Sequence, residues 1–241
     1  GLFLAAWFAT TVGWRYAYGT MMVLWVFLAV ATAVLITPRH GMTDVHGAPA
    51  PAQTRLKPLF VYYVVAALIG LTSTGFITYM PVFFSENLGH LFSELDGVIT
   101  GGFATTLVLI AGMPGQFIGG KWGDRYNKCR LLILISAVHV PLLLAFRYGP
   151  GEWVLLSGLI LGVVHFMYQP IGNALIAEFT SSASRGIGYG FSFFLSFGIG
   201  SFASGIGGII AVNYGVPSVF LFTAFLMAAA VAVALYLRKI V

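Results

Sequence analysis

Seven long apolar runs, separated by short polar stretches, dominate the pattern of this chain. A helix needs about 20 apolar residues to cross the ~30 Å hydrocarbon layer of a bilayer. The pattern therefore predicts seven complete transmembrane helices after an incomplete one. The complete spans are predicted at about 16–37, 58–84, 97–120, 130–147, 152–179, 186–212 and 216–238, and the incomplete one at 1–12.

The polar stretch 38–57 is the segment most typical of a linker. It is rich in proline, alanine, threonine and charge, and we interpret it as a flexible connector. It divides the chain into an amino-terminal part, 1–37, and a carboxy-terminal bundle of six spans, 58–241. We take the connector to be cytoplasmic.

Composition favours a bilayer over water as the surroundings of this chain. Apolar residues make up 59% of the chain and charged residues only 8%, whereas soluble domains carry about 25% charged residues. We therefore predict an all-α integral membrane protein in contact with the lipid bilayer. The single cysteine, Cys129, excludes a disulfide framework or a cysteine metal site, and we expect no metal and no cofactor.

The net charge of +5 could suggest nucleic acid, but the basic residues form small clusters between apolar runs. With 38–57 on the cytoplasmic side, only Arg15 and Arg147 of the 12 basic residues lie outside. This bias predicts the orientation of a multi-pass protein with a cytoplasmic carboxy terminus. We expect a prokaryotic plasma (inner) membrane and no nucleic-acid partner.

A weak internal repeat relates the two ends of the chain. Gly13-Trp14-Arg15 opens one apolar span, and Gly215-Val216-Pro217 opens another. The two copies lie about 200 residues apart and on the same side of the membrane, as in parallel repeats of six helices. The chain also starts within an apolar run and has no basic region typical of a signal peptide. We therefore expect about four further helices upstream.

The polar segment after the third complete span carries the most specific motif. Its sequence, GKWGDRYNKCR at 120–130, resembles the signature loop of the major facilitator superfamily, G-x-x-x-D-R/K-x-G-x-R/K-R/K. The matching residues are Gly120, Asp124 and Arg125, followed by the basic Lys128 and Arg130. Asn127 replaces the usual glycine, and asparagine tolerates the left-handed turn.

Three looser similarities extend this resemblance over the whole chain. Gly13 to Arg15 is similar to the family's turn between helices 5 and 6, and Tyr79-Met80-Pro81 to the outer end of helix 7. The run 170–190 resembles the connection of helices 10 and 11. The resemblance implies a chain from the end of helix 5 to helix 12 of a secondary active transporter. It implies alternating access, a small-molecule substrate, coupling to protons and a monomeric full-length protein.

Charged residues around the signature loop form a predicted conformational latch. A carboxylate is stabilised at a helix N-terminus, so Asp124 could cap the helix that begins near Gly186. Glu178 could pair with Arg125 or Arg185. Family analogy implies that such contacts hold the inner side closed, and the alternative is a set of ordinary solvated charges. The predicted latch comprises Gly120, Asp124, Arg125, Lys128, Arg130, Glu178 and Arg185.

Small residues recur at every fourth position of the sixth complete span. The stripe comprises Ser192, Ser196, Gly200, Ser204 and Gly208, and Ala111, Gly115 and Gly119 form a shorter one on the third span. Such stripes allow close helix approach. They predict either tight packing alone or, by family analogy, a sliding seam between the two halves of the carrier.

One face of the fifth complete span predicts the wall of a substrate cavity. His165, Tyr168, Gln169 and Asn173 share that face, and polar side chains in lipid must look into protein or water. Thr78 and Tyr79 complete the candidate set. Hydrogen bonding between helices without substrate contact is the alternative. His139, near Pro141, is expected to bond a backbone carbonyl or another helix.

The middle of every complete span lacks Asp, Glu, Lys and Arg. A proton-coupling carboxylate is therefore expected upstream, with His165 as the remaining candidate here. The aromatic-rich lining favours proton-coupled efflux of a drug-like molecule or metabolite, so we predict an antiporter. The alternative is an importer, working as a symporter, of a small organic anion or other nutrient.

An enzyme is disfavoured, and no catalytic residues are predicted. The motif Gly190-Phe191-Ser192 has the form of an intramembrane serine nucleophile, but no histidine follows His165. A channel or a receptor would explain neither the basic loop nor the repeat.

Overall fold

The computed structural model describes residues 2–35, 53–89, 96–149 and 151–241. Within these ranges the chain forms nine α-helices and one π-helical segment and contains no strand. The prediction of an all-α protein is thus confirmed. The elements are α1 (Leu2–Thr11), α2 (Trp14–Leu35), α3 (Leu56–Leu88), α4 (Gly97–Arg125), α5 (Lys128–Tyr148), α6 (Gly151–Phe179), α7 (Arg185–Phe193), the π segment (Phe194–Ile199), α8 (Phe202–Tyr214) and α9 (Pro217–Ile240).

Seven helical spans in the described part of the chain are long and apolar enough to cross a membrane. Six are single helices. The remaining span, Arg185–Tyr214, consists of α7, the π segment and α8. Helix α1 has only 10 residues and reaches about 15 Å at ~1.5 Å per residue. The predicted number of seven complete spans is confirmed.

Two helices extend beyond the apolar runs that predicted them. Helix α3 covers Leu56–Leu88, and α4 continues to Arg125. Hydropathy marks the length of a helix that suits hydrocarbon, whereas backbone hydrogen bonding continues into polar surroundings. Asp124 therefore lies in the last turn of α4, and its predicted place in a loop was wrong.

The last residues of the predicted linker pack on the connection between α6 and α7. Residues 38–52 lie outside the described part of the chain. The Arg55 backbone N–H donates to the Phe179 carbonyl at 2.8 Å, and the Thr54 hydroxyl lies 2.6 Å from that of Ser184. The described end of the linker is therefore fixed to the bundle.

The two turns of the predicted repeat share a backbone feature. Gly13, directly before α2, has φ +117°, and Gly215, shortly before α9, has φ +81°. Residues with a Cβ rarely adopt such angles, so glycine permits both sharp reversals. Pro217 then begins α9, where its fixed φ suits the first helical position.

Aromatic side chains form the core between α3, α5 and α9. The ring of Phe220 on α9 lies 4.9 Å from that of Phe83 and 4.8 Å from that of Phe146, measured between centroids. Phe84 packs edge-on against Phe146, with ring centroids 5.4 Å apart. This core holds the three helices together behind the polar face of α6.

Helices α4 and α6 approach each other through glycine. A Cβ on Gly115 or Gly119 would overlap the α6 backbone at Val163 or Met167. In return, a Cβ on Gly162 would overlap the carbonyl of Val108. The close approach maximises van der Waals contact between the two backbones, which is how small residues join helices in a membrane.

Helices α1 and α2 lie at the margin of this bundle. The backbone N–H of Phe3 donates to the Thr106 hydroxyl on α4 at 3.0 Å. Most of α2 is exposed, including Trp25 at 68% and Tyr18 at 73%. In a membrane-spanning helix, such an apolar surface faces lipid or further protein.

Candidate functional site

The predicted polar face of α6 borders a cavity. His165, Tyr168, Gln169 and Asn173 all line one space of about 160 Å³. They share a face because residues three and four apart lie on the same side of a helix. His165 is the central residue of α6, so the cavity reaches the middle of this span.

The other walls come from α3 and from the span of α7 and the π segment. Polar groups on these walls are hydroxyls, and aromatic rings alternate with them. The lining residues include Tyr62, Ser73 and Thr74 of α3, and Ser192, Phe193, Ser196 and Phe197 of the α7 span. An apolar pocket with a few convergent polar groups is typical of small-molecule sites.

Hydrogen bonds join the walls at the cavity. The hydroxyls of Tyr62 on α3 and Tyr168 on α6 lie 3.0 Å apart. The side-chain amides of Gln116 on α4 and Gln169 on α6 are bonded at 3.1 Å. Because an amide both donates and accepts, this second contact leaves a hydrogen-bonding group of Gln169 free for the cavity.

Among the described residues that line the cavity, none is Asp, Glu, Lys or Arg. An isolated charge is costly to transfer out of water unless it is paired. The lining can therefore satisfy hydrogen-bonding groups of a bound molecule but offers no opposite charge to an ion. No group of three His, Cys, Asp or Glu side chains within the described ranges could hold a metal ion.

The π segment interrupts the span on the cavity side. It covers Phe194–Ile199 and follows directly after Ser192 and Phe193. The rings of Phe193 and Phe197 stack with centroids 6.0 Å apart and an interplanar angle of 11°. Such π-helical turns within α-helices occur frequently at functional sites.

Thr78 and Tyr79 lie outside the cavity lining. The Tyr79 hydroxyl donates to the Ser204 carbonyl at 2.5 Å, and the Thr78 hydroxyl lies 3.3 Å from that of Ser204. Both side chains face α8, more than a turn beyond Thr74 along α3. The structure thus separates these two candidates from the four on α6.

The small-residue stripe of the α7 span contacts α3. A Cβ on Gly70 would overlap the backbone of Ser196, and one on Gly200 would crowd the Gly70 carbonyl. Gly208 approaches the Tyr79 hydroxyl. The shorter stripe on α4 packs on α6. Both stripes therefore join helices within the described bundle, which agrees with the tight-packing alternative.

The predicted latch residues gather at one end of the bundle, where α4, α6 and α9 finish and α3, α5 and α7 begin. We call this the basic end. Its ion pair joins Lys128 to Glu178 at 2.5 Å. Glu178 binds neither of its two predicted partners, Arg125 and Arg185. Lys128 lies nearer because it opens α5, which packs directly on α6.

The side chain of Asp124 makes no hydrogen bond or ion pair to any described residue. It does not cap the helix that begins at Arg185, whose N-cap is Ser184 without a side-chain bond. Asn127 caps α5 instead, since its side-chain oxygen accepts the backbone N–H of Arg130 at 3.0 Å. Its φ is −62°, so the left-handed turn expected there is absent. Gly120 lies beside Pro170 of α6.

Sequence reasoning missed several residues at the cavity. Tyr62 pairs with Tyr168, and Gln116 pairs with Gln169. Gln116 could have been recognised in the sequence, because it is a lone amide side chain within an apolar span. Tyr62 gave no such signal because tyrosine is ordinary near membrane surfaces.

Comparisons with known proteins agree with this architecture. The family model of the Major Facilitator Superfamily matches residues 1–204 and 88–240. A structure of a Major Facilitator Superfamily transporter, FucP, in the outward conformation is 16% identical with a TM-score of 0.65, and covers 92% of this chain and 54% of that one. A single-residue variant of the E. coli fucose:proton symporter FucP is 14% identical with a TM-score of 0.66, covering 90% and 54%.

No curated protein matches the chain. The chain spans about half the length of the two solved structures, and at these identities the likeness concerns the fold. The family model, in contrast, covers most of the sequence. On that basis the chain belongs to the Major Facilitator Superfamily of membrane transporters.

Proposed function

We propose that this protein is a secondary active carrier that moves a neutral, hydrogen-bonding small molecule by alternating access. The observation that carries the proposal is the cavity, whose described lining combines apolar side chains with a few polar groups and has no Asp, Glu, Lys or Arg. A neutral solute can exchange its hydrogen bonds with water for those of the lining. An ion would lose its hydration without gaining a counter-charge.

The walls suit a solute with both polar and apolar surface. Phe166, Phe193 and Phe197 offer ring faces, while the amides and hydroxyls lie between them. Aromatic surfaces supply apolar burial, and a few polar groups fix orientation. A small organic anion, the substrate of the importer alternative, would require a cation that this lining does not contain.

We propose proton-coupled export as the direction of transport, because the cavity lining is rich in aromatic side chains. The proposal also includes a proton-coupling carboxylate upstream of this chain and a conformational latch at the basic end. Within the latch, the Lys128–Glu178 pair would hold α5 and α6 together at the basic end. Asp124 and Arg125, free of ion pairs to described residues, would contact the other half of the carrier.

The test uses the intact protein in which this sequence occurs, reconstituted in proteoliposomes. Uptake or release would be measured with and without a pH gradient for D-glucose, uridine and chloramphenicol as neutral probes, and lactate, benzoate and citrate as anions. Transport of a neutral probe, driven outward by protons entering, supports the proposal. Transport restricted to the anions overturns it.

A substitution in the lining sharpens this test. Gln169→Arg places a cation beside the Tyr62–Tyr168 pair, so transport of the neutral probes should fall at least tenfold, equivalent to ~1.4 kcal/mol. Gln169→Asn is the control, because it keeps the amide and should retain transport. Equal loss in both Gln169 variants would point to misfolding, which the elution profile of the purified protein detects.

A further inference from the structure

Two buried histidines meet at the middle of the bundle. His165 is the central residue of α6, and His139 lies near the centre of α5. Their exposed fractions are 8% and 2%. The Nε2 atom of His139 lies 3.3 Å from Nδ1 of His165, so the two imidazoles share a hydrogen bond.

The surroundings of this pair favour neutral rings. Phe76 on α3 and Phe166 on α6 lie against His165, with ring centroids 6.0 and 5.4 Å away. The hydroxyls of Tyr62 and Tyr168 are the other titratable groups on the cavity walls. The described carboxylates lie at or near helix ends, and a buried cation without one is costly.

The position of each proton follows from one backbone contact. Nδ1 of His139 lies 2.9 Å from the Ile135 carbonyl oxygen. A carbonyl only accepts, so Nδ1 of His139 must carry the proton, and its Nε2 must accept. His165 therefore donates from Nδ1, and the Nε2 atom of a neutral His165 keeps its lone pair.

This Nε2 atom has no hydrogen-bond partner among the described residues, while His165 borders the cavity. We infer that Nε2 of His165 accepts a hydrogen bond from a hydroxyl or N–H group of the transported solute. His139 is the positioning residue that holds His165 in the accepting tautomer. The inference rests on the proposed function, and it adds a requirement: the solute must carry a donor.

Nitrogen-15 NMR of the intact protein, labelled at its histidines, tests the tautomer independently of transport. Near neutral pH, both His139 and His165 should appear as neutral rings protonated at Nδ1. A His165 ring protonated at Nε2, or at both nitrogens, overturns the inference.

Two variants of His139 give the matched comparison. His139→Leu removes the acceptor of His165, so the His165 signal should shift towards a mixture of tautomers. His139→Gln offers an amide oxygen in its place and should restore the Nδ1 form. If His165 keeps one tautomer in the His139→Leu protein, the positioning role is wrong.

Transport kinetics then test the solute contact, with the neutral probe that moves fastest in the panel above. His165→Phe should raise KM about tenfold, equivalent to ~1.4 kcal/mol, with a smaller change in kcat. An unchanged KM with the expected NMR spectrum refutes the solute contact and leaves the proposed carrier intact. If no neutral probe moves, the proposed function fails, whatever the tautomer.

Discussion

Two contacts between helices of this bundle both depend on small residues, yet they differ in what the small residues meet. Between α4 and α6, Gly115 and Gly119 face backbone atoms of the opposite helix. Between α3 and α8, Gly207 and Gly208 face the side chain of Tyr79. The first contact is closed by main chain, and the second by a ring that can change its rotamer.

Hydrogen bonds strengthen this difference. On the α3 side, the Tyr79 hydroxyl donates to the Ser204 carbonyl, and the π segment ends at Ile199, before Ser204 in the same span. Such bonds can be exchanged for others when helices move, whereas a backbone contact must be separated. Gly70 of α3 does meet the backbone of Ser196 in the π segment. We therefore infer that α4 and α6 move as a unit, and that only α8, beyond this backbone contact, adjusts against α3.

The largest effect is expected at the contact closed by main chain. Gly119→Ala would drive a Cβ into the α6 backbone at Met167, and overpacking of this kind costs about 1–3 kcal/mol. Unfolding of the intact protein by SDS titration in mixed micelles measures the loss. The neighbouring Gly120→Ala is the control, since its Cβ would have its nearest neighbour, Pro170, at 3.9 Å.

Both substitutions change helix propensity equally, so their difference isolates the contact. Equal stability of the Gly119→Ala and Gly120→Ala proteins would mean that α4 and α6 are not closely packed. The proposed difference between the α4–α6 contact and the α3–α8 contact would then be wrong.

Sequence periodicity predicted which residues share a face, but not which helix covers that face. The stripe from Ser192 to Gly208 was recognisable from its spacing, yet its contact with Gly70 depends on the tertiary arrangement. Span lengths were predictable because the bilayer fixes them. The His139–His165 bond was not, because the partners lie on separate helices.

The same limit explains the errors at the basic end. Asp124 follows an apolar run, and hydropathy alone suggested that the helix had ended there. Its backbone continues in α4, since polar residues end a span without ending a helix. Asn127 was compared with the family's glycine, whereas its side chain serves as an N-cap, a common role of asparagine.

A smaller effect is expected where the obstacle is a side chain. Gly207→Ala would bring a Cβ against the ring of Tyr79, which can rotate away, so we expect a loss of at most about 1 kcal/mol in the free energy of unfolding. Gly205→Ala is the matched control on the same helix, because a Cβ there meets nothing within 4 Å. A loss as large as that of Gly119→Ala would remove the proposed difference between the contacts.

Removing a hydroxyl tests the exchangeable bond itself. Tyr79→Phe keeps the ring and deletes the bond to the Ser204 carbonyl. Hydrogen bonds between membrane helices average about 0.6 kcal/mol, so the free energy of unfolding should fall by roughly that amount. Tyr236→Phe, at an exposed position on α9, is the control. A fall of several kcal/mol would show that α3 and α8 are locked together.

The smallest effect is expected at the ion pair of the basic end. Lys128 and Glu178 join α5 to α6, but their side chains are 24% and 44% exposed. Water and salt screen such a pair, and the cost of ordering two long side chains offsets much of the attraction, so exposed pairs contribute about 0–1 kcal/mol. A double-mutant cycle with Lys128→Gln and Glu178→Gln should therefore give a coupling energy below ~1 kcal/mol, and it should shrink as salt is added. A coupling that is larger and independent of salt would mean that the pair is shielded from water in the intact protein. The α5–α6 contact at the basic end would then rank with the glycine contact between α4 and α6, and α4, α5 and α6 would move as one unit.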